Sequence, residues 1–380
     1  MKTEQNSWIA GKGWSNGPLG KMGKEAQLVL VFGGSALMKE QLEFDAIKQA
    51  YPNAHLLGCS TAGEILGTQV RDDSLALTAV KFNFSGVQGT QIGIAGTSSS
   101  YEAGKRLANA IEKRGLRHLF VLSDGLSVNG SELVKGLASG LPKGVSITGG
   151  LSGDGPRFKE TFVFFDAPPE TGIVAAIGLY GDKLKVGYGS LGGWDPFGPY
   201  RTITGSKNNV LYEMDGKNAL DLYKEYLGDQ AKGLPATGLL FPLEVKVKEG
   251  DRPVVRTILS VDEKEKSMTF AGDVPEGATA RLMKANFERL VDGSLGAAQA
   301  SRQGLGAFDA ELAILISCVG RKLVLAQKTE EEVEAVRDVL GSKAALTGFY
   351  SYGEIAPFVG GGACELHNQT MTITALAEER

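Results

Sequence analysis

The sequence has few of the residues that commonly build a crosslinked scaffold or a metal site. Among 380 residues there are three cysteines and three histidines. Three cysteines without CxxC spacing exclude a disulfide framework and the usual zinc ligand sets. No apolar run approaches the roughly 20 residues of a membrane-spanning helix, and the N-terminus has no signal-peptide pattern. These absences predict a cytoplasmic protein without a membrane partner.

An excess of charge of either sign is also lacking. Lys and Arg number 40 and Asp and Glu number 44, which gives a formal net charge of −4. A basic groove for nucleic acid is therefore not indicated. The hydrophobic content of 42% and the charged content of 22% are typical of a globular protein with a large core. The length suits two domains of about 150 residues.

Glycine, in contrast, is abundant. There are 52 glycines, which is roughly 14% of the chain and about twice the usual share. They show no collagen-like period and stand among apolar segments, so disorder is not indicated either. Glycine permits turns with positive φ and close approach of the backbone to another group. The sequence therefore predicts many tight turns or backbone contacts.

Two glycine-containing segments match each other. GCSTAGEI (Gly58–Ile65) and GFYSYGEI (Gly348–Ile355) share the pattern G-x-x-[ST]-x-G-E-I. Each follows a strand–helix–strand pattern and precedes another strand-like run, and TGGLSGDG (Thr148–Gly155) is a looser third copy. The matches predict a mixed α/β (α+β) fold with two pseudo-repeated halves of β-α-β-β units, whose β cores are covered by helices.

The chain divides at a second glycine-rich stretch, Lys185–Gly205. We predict an irregular N-terminal lead-in over residues 1–24, a first domain over 25–205 and a second over 206–380. Near the C-terminus, the run Glu330–Glu332 suits a solvated helix N-terminus, because acidic side chains stabilise the helix dipole there.

Five motifs in order give the chain a resemblance to a known family. They are GCSTAGEI, GGWDPFGP followed by EMDGKNAL, SCVGR, GFYSYGEI and HNQT. In this order they resemble the FIST family of intracellular signal-transduction sensors, with a FIST N-type half to about residue 205 and a FIST C-type half beyond it. The resemblance implies a sensory module, not an enzyme, that binds a small ligand such as an amino acid or a related metabolite. It also implies a histidine kinase, a diguanylate cyclase or a chemotaxis protein as a separate partner, because the sequence carries no output domain.

If the motifs bind a ligand, the site is expected where the two halves meet, since concave sites favour domain interfaces. The candidate ligand-binding residues are Cys59, Ser60, Thr61, Gly63, Glu64, Trp194, Cys318, Arg321, Tyr352, Gly353, Glu354, His367 and Asn368. The alternative is that the paired motifs are structural turns whose glutamates accept backbone hydrogen bonds. Arg321 is a candidate clamp for a ligand carboxylate, and its alternative role is an ion pair with an acidic neighbour.

Two other functions remain open from the residues alone. The family includes haem-based nitric-oxide sensors, and His367 would be the first axial ligand to consider. A thiol-dependent enzyme would use Cys59 as its nucleophile, although no histidine is spaced to act as its base. No resident cofactor and no metal site are expected.

Overall fold

A computed structural model describes residues 1–248, 251–358 and 362–380. The helices are α1 (Ser35–Lys39), α2 (Phe44–Ala50), α3 (Ser100–Ala110), α4 (Gly130–Gly140), α5 (Ala219–Leu227), α6 (Phe287–Gly304), α7 (Val319–Leu325) and α8 (Thr329–Leu340). Within the described residues, none of these helices combines the length and the apolar character needed to cross a bilayer.

The strands of the first half of the chain are β1 (Lys2–Ile9), β2 (Gly13–Trp14), β3 (Leu28–Gly34), β4 (His55–Thr61), β5 (Glu64–Leu66), β6 (Gln69–Arg71), β7 (Ser74–Lys81), β8 (Gly86–Gly93), β9 (Leu116–Ser123), β10 (Ser146–Leu151), β11 (Val163–Phe165), β12 (Ile173–Tyr180) and β13 (Leu184–Leu191). Those of the second half are β14 (Trp194–Lys207), β15 (Val210–Met214), β16 (Lys217–Asn218), β17 (Leu243–Lys246), β18 (Val254–Arg256), β19 (Ile258–Asp262), β20 (Ser267–Phe270), β21 (Thr279–Ala285), β22 (Leu312–Cys318), β23 (Ala345–Ser351), β24 (Gly353–Pro357), β25 (Cys364–His367) and β26 (Met371–Glu378). The predicted mixed α/β class is confirmed.

Three six-stranded sheets share one strand pattern. Their orders are β11-β4-β3-β7-β1-β2, β25-β24-β10-β9-β12-β8 and β13-β26-β22-β23-β5-β6. Each contains a parallel pair, β3 with β4, β9 with β10 or β22 with β23, followed by an antiparallel neighbour, β7, β12 or β26. We call these sets the first, second and third units. The predicted motif pair lies in the first and third units, and the looser copy lies in the second.

The three units exchange strands in a cycle. After β4 the chain enters the third sheet as β5, after β10 it enters the first sheet as β11, and after β23 it enters the second sheet as β24. The glycine-containing motifs therefore lie at the corners where the chain leaves one sheet for the next. One apolar cluster contains side chains from all three parallel pairs, among them Phe32, Phe120 and Ile316.

The N-terminal residues are ordered, in contrast to the predicted irregular lead-in. Strand β1 pairs with β7 along its whole length, from Lys2 opposite Lys81 to Ile9 opposite Ser74. Its sequence is polar because the strand is only half-buried near the sheet edge. The Glu4 carboxylate accepts hydrogen bonds from the backbone N–H groups of Lys21 and Met22 at 3.2 and 2.7 Å. A polar strand has no apolar run, which is why the pattern of apolar residues misses it.

In the chain, a separate eight-stranded sheet is inserted between the second and third units. Its strand order is β18-β17-β21-β14-β15-β20-β19, and β16 also pairs with β15. Helix α5 covers it, and the two share a core that includes Ile203, Tyr223 and Phe270. Strand β14 runs across residue 205, where the sequence places a domain boundary. That boundary stays a prediction.

Several glycines sit where two backbones touch rather than at turns. Helices α3 and α4 cross so closely that a Cβ atom on Gly136 would lie 2.0 Å from the carbonyl oxygen of Tyr101. A Cβ on Gly187 of β13 would lie 1.8 Å from the carbonyl oxygen of Ser301 in α6. Part of the glycine excess therefore allows helices to pack directly on backbone.

We expect Gly136→Ala to lower the free energy of unfolding by about 1–3 kcal/mol, because the added methyl group forces α3 and α4 apart. Gly93→Ala is the matched control, since a Cβ there meets no atom within 4 Å. Urea denaturation of the two variants measures the difference. Equal stabilities would contradict the packing role of Gly136.

Candidate functional site

A solvent-accessible cavity of about 480 Å³ lies where the three units meet. The first unit contributes the end of β3, the corner after β4 and the turn before β7, the second contributes the loop after β10, and the third contributes helix α7. The lining residues are Gly34, Thr61, Ala62, Gly63, Glu64, Asp72, Asp73, Gly155, Pro156, Arg157, Val319, Lys322, Leu323 and Ala326. We call it the central cavity.

The corner after β4 leaves room for the side chain of Lys322. Gly63 has φ +139°, and a Cβ atom there would lie 2.5 Å from Lys322 Nζ. The missing side chain lets Lys322 donate a hydrogen bond of 2.9 Å to the Ala62 carbonyl oxygen. The same ammonium forms an ion pair with Asp72. Lys322 therefore links helix α7 of the third unit to the first unit across the cavity.

Arg157 provides a second cation. It lies on the loop after β10, and its Nη2 donates a hydrogen bond of 2.9 Å to Ser35 Oγ. About 46% of its side chain is exposed, and its Nε is 4.0 Å from a carboxylate oxygen of Asp154. The acidic wall of the cavity comes from Asp72 and from Asp73, which holds a left-handed backbone conformation with φ +51°. The cavity thus has groups of both charges.

Glu64 lines the cavity, but both of its carboxyl oxygens already accept hydrogen bonds from residues of the first unit. Oε1 accepts a hydrogen bond from Thr61 Oγ1 at 2.5 Å, and Oε2 accepts from the N–H and hydroxyl of Ser74 at 3.0 and 2.7 Å. Burial raises the pKa of Glu64 to about 7, against the lowering effect of these hydrogen bonds. These hydrogen bonds connect the corner after β4 to the start of β7.

Glu354 repeats this arrangement in the third unit. Its carboxyl group accepts hydrogen bonds from Ser351 Oγ at 2.6 Å and from the N–H and hydroxyl of Thr370 at 3.1 and 2.9 Å. The side chain is fully buried and does not line the central cavity. Burial raises its pKa to about 8. The paired glutamates therefore share a structural role, and only Glu64 also faces the cavity.

Arg321 is not placed as a ligand clamp. Its Nε and Nη2 donate to Glu332 Oε2 at 3.0 and 2.7 Å, and Nη2 also donates to the Leu290 carbonyl oxygen at 2.7 Å. Both partners of this ion pair are fully buried. The donors of the guanidinium are occupied by Glu332 and Leu290. Arg321 therefore has the alternative role, an ion pair with an acidic neighbour.

Glu332 corrects the interpretation of Glu330–Glu332 as a solvated helix N-terminus. Its other oxygen accepts hydrogen bonds from Ser317 Oγ at 2.9 Å and Tyr350 OH at 2.6 Å. The first turn of α8 packs over β22 and β23, so that one of the three acidic side chains points inward. The sequence pattern missed this because the burial of Glu332 depends on how α8 packs on the neighbouring strands, which the acidic run itself does not show.

Two of the three cysteines, Cys59 and Cys318, are buried among apolar side chains. Cys59 and Cys318 have no exposed surface, and burial raises the pKa of both thiols. A nucleophilic cysteine needs thiolate character and access. His55, on the same strand as Cys59, is instead hydrogen-bonded to Asp166 at 2.7 Å. These observations argue against Cys59 as a nucleophile.

Tyr352 contacts the loop after β10, which forms one wall of the cavity. Its hydroxyl donates to the Gly155 carbonyl oxygen at 2.7 Å and also contacts the Asp154 carboxylate. Its ring stacks on Phe158 with 4.7 Å between the centroids. Asn368 donates a hydrogen bond of 3.0 Å to the backbone carbonyl of Tyr352. These contacts hold the loop that carries Arg157.

The remaining predicted residues lie away from the cavity lining. Ser60 is buried and accepts a hydrogen bond from Phe162 N–H at 2.9 Å, and Gly353 pairs with Leu151. Trp194 belongs to a small apolar cluster with Leu290. These three contribute to packing and pairing.

His367 does not fit the role of a haem ligand. Its Nε2 lies 3.0 Å from the carbonyl oxygen of Ala356, to which it donates. Burial lowers its pKa to about 4, and its ring meets Phe358 edge to face. In the part of the chain that the structure describes, no group of three or more His, Cys, Asp or Glu side chains is placed to hold a metal ion.

Sequence reasoning missed four charged residues of the cavity, Asp72, Asp73, Arg157 and Lys322. Lys322 directly follows the SCVGR motif, and Arg157 follows the looser third motif after one proline. Their position next to motif segments is a signal that could have identified them.

Comparison with known proteins gives two family matches and one relative. Residues 27–217 match the FIST N domain and residues 219–357 match the FIST C domain. An uncharacterized protein of Methanocaldococcus jannaschii is 25% identical over 326 residues, which cover 78% of this chain and 61% of that protein. The chain thus spans about three fifths of that relative's length.

A search of solved structures matched the crystal structure of cyanuric acid hydrolase from A. caulinodans. The identity is 12% and the TM-score is 0.19, with coverage of 78% of this chain and 100% of that chain. A TM-score this low carries no information about function.

Proposed function

Because the chain belongs to the FIST family, whose domains are sensors in signal transduction, we propose that it binds a small ligand in the central cavity. We propose further that it is a cytoplasmic binding protein rather than an enzyme. Its output would pass to a separate partner such as a histidine kinase, a diguanylate cyclase or a chemotaxis protein.

The observation that carries this proposal is the position of the cavity. Its walls come from both family segments, with Thr61–Glu64 and Arg157 in the FIST N segment and Lys322 in the FIST C segment. Sites for small ligands are commonly cavities of about 300–1,000 Å³ at such junctions. A ligand that changed the contacts of Lys322 would change the contact between the two segments.

The charges of the cavity favour an amino acid or a related metabolite. Arg157 and Lys322 can bind a carboxylate, and a guanidinium can do so with two parallel hydrogen bonds. Asp72 and Asp73 can accept hydrogen bonds from an ammonium group. A zwitterion would therefore find partners of both signs, whereas a purely anionic or cationic ligand would leave one set unused.

A thermal-shift screen with the standard amino acids and their common metabolites tests the proposal. Ligand binding to the folded state raises the melting temperature by mass action, so we expect at least one compound to raise it. Arg157→Ala should reduce that shift, because it removes one of the cations and so weakens binding, and should keep the melting temperature of the free protein. Circular dichroism of the variant confirms that its fold is retained.

Arg117→Ala is the matched control, since Arg117 is exposed to a similar extent, about 50%, and lies outside the cavity. It should leave the ligand-induced shift unchanged. A shift of the same size in Arg157→Ala as in the wild type, or a shift that Arg117→Ala also reduces, would contradict binding in the central cavity.

A further inference from the structure

The separate sheet contains an unusual break in strand pairing. Strand β14 pairs with β21 up to Phe197 opposite Leu282 and resumes at Arg201 opposite Ala280. Between them Gly198 has φ +82°, and Tyr200 is 45% exposed. Phe197 is 47% exposed. A bulge that exposes two aromatic side chains calls for an explanation, because large exposed apolar groups often mark binding sites.

Beside this bulge lies a small cavity of about 80 Å³. Its apolar walls come from β14, β15, β17, β21 and α5 and include Phe197, Met214, Tyr223, Tyr226, Leu243 and Leu282. Two arginines, Arg201 and Arg281, also line it. The combination is an apolar pocket with two guanidinium groups, and it is separate from the central cavity.

The first guanidinium, that of Arg281, is held by Glu244 and stacks on Tyr200. Arg281 bonds to Glu244 Oε1 through Nε and Nη2, each at 2.7 Å, and Tyr200 OH donates to the same oxygen at 2.7 Å. The guanidinium lies 4.3 Å from the centroid of the Tyr200 ring. Among the described residues its Nη1 has no hydrogen-bond partner. A ligand acceptor could therefore bind there without displacing Glu244.

The second guanidinium, that of Arg201, has one charged partner, Asp215, and one neutral partner, Tyr226. Arg201 Nη1 pairs with Asp215 at 2.9 Å. Its Nε donates to Tyr226 OH at 2.9 Å, and its Nη2 also contacts that hydroxyl. A phenol oxygen thus occupies the side of the guanidinium that matches a carboxylate best. A carboxylate in this place would form stronger, charge-assisted hydrogen bonds.

We propose that this cavity is a second binding site, for a short aliphatic carboxylate. An engineered cavity of about 150 Å³ accommodates benzene, so 80 Å³ suits an aliphatic group of about three or four carbons. The apolar walls would cover that group and the two arginines would bind the acid. This site does not depend on the proposed ligand of the central cavity.

Isothermal titration calorimetry with four small probes tests the proposal on the full chain. Isovalerate has the expected shape and charge, isovaleramide is its neutral isostere, isopentylamine carries the opposite charge, and acetate lacks the aliphatic group. We expect isovalerate to bind, isovaleramide to bind about tenfold more weakly, and the other two to give no binding. Equal binding of acid and amide, or no binding of isovalerate, would overturn the proposal.

Variants locate the binding. Arg281→Gln should weaken isovalerate about tenfold and leave isovaleramide unchanged, and Arg281→Lys provides the same comparison if the first variant does not fold. Tyr226→Phe removes the phenol oxygen from Arg201 and should retain or strengthen isovalerate binding. Arg157→Ala should have no effect. Isovalerate binding that depends on Arg157 and not on Arg281 would place it elsewhere and refute the site.

Discussion

Arg321→Ala is expected to lower the free energy of unfolding by about 3–5 kcal/mol, the cost of removing one partner from a buried ion pair. The reason is that the fully buried Glu332 loses its ion-pair partner and two hydrogen bonds from the guanidinium. The carbonyl oxygen of Leu290 also loses a donor. Urea denaturation at neutral pH measures the change.

Two controls separate this effect from the general loss of an arginine. Arg302→Ala breaks an exposed pair with Asp309 and should cost less than about 1 kcal/mol. The double variant Arg321→Met/Glu332→Leu removes both charges and should recover much of the loss, as apolar replacement of buried pairs often does. If Arg321→Ala is as stable as Arg302→Ala, the structural role of Arg321 is refuted.

Glu354→Gln is expected to remove a pH dependence of several kcal/mol. Burial raises the pKa of Glu354 from 4.5 to about 8 in the folded protein, so the folded state binds more protons than the unfolded state between these values. Stability from this group is complete below about pH 4.5 and is lost as the pH rises towards 8. At about 1.4 kcal/mol per pKa unit, the complete loss is about 5 kcal/mol.

The measurement compares wild-type and variant unfolding free energies from pH 5 to pH 9. Near pH 5 the two should be similar, because glutamine resembles the protonated acid, and above pH 8 the variant should be more stable. Glu64→Gln should give the same trend with a smaller change that ends near pH 7, the approximate pKa of Glu64. Parallel curves for the wild type and Glu354→Gln would contradict the burial of a protonated acid.

The local pattern of the chain predicted the units better than their assembly. Apolar runs and helical stripes located the parallel pairs, and the repeated motif located the corners of the first and third units. The cyclic strand exchange was not predictable, because a short strand such as β5 carries no signal for its partner β23, almost 300 residues away. Hydrogen bonding between distant backbones decides that pairing.

The candidate site shows the same limit. The repeated motif identified Thr61, Gly63 and Glu64, which line the central cavity. It also pointed to Glu354, which has the matching structural role but does not line the central cavity. The sequence could not separate the two, because the difference lies in the neighbours Lys322 and Arg157, which belong to the other units. The glycine excess likewise has two causes, corners and helix contacts, that only the packed chain distinguishes.

The most direct test of the account is isothermal titration calorimetry of the wild type with the amino acid or metabolite that raises its melting temperature most. The account predicts one site per chain, and about tenfold weaker binding, or about 1.4 kcal/mol, for both Arg157→Ala and Lys322→Ala. Arg117→Ala should bind as the wild type does. Unchanged affinity in both cavity variants, or no binding of any compound, would contradict a ligand site in the central cavity.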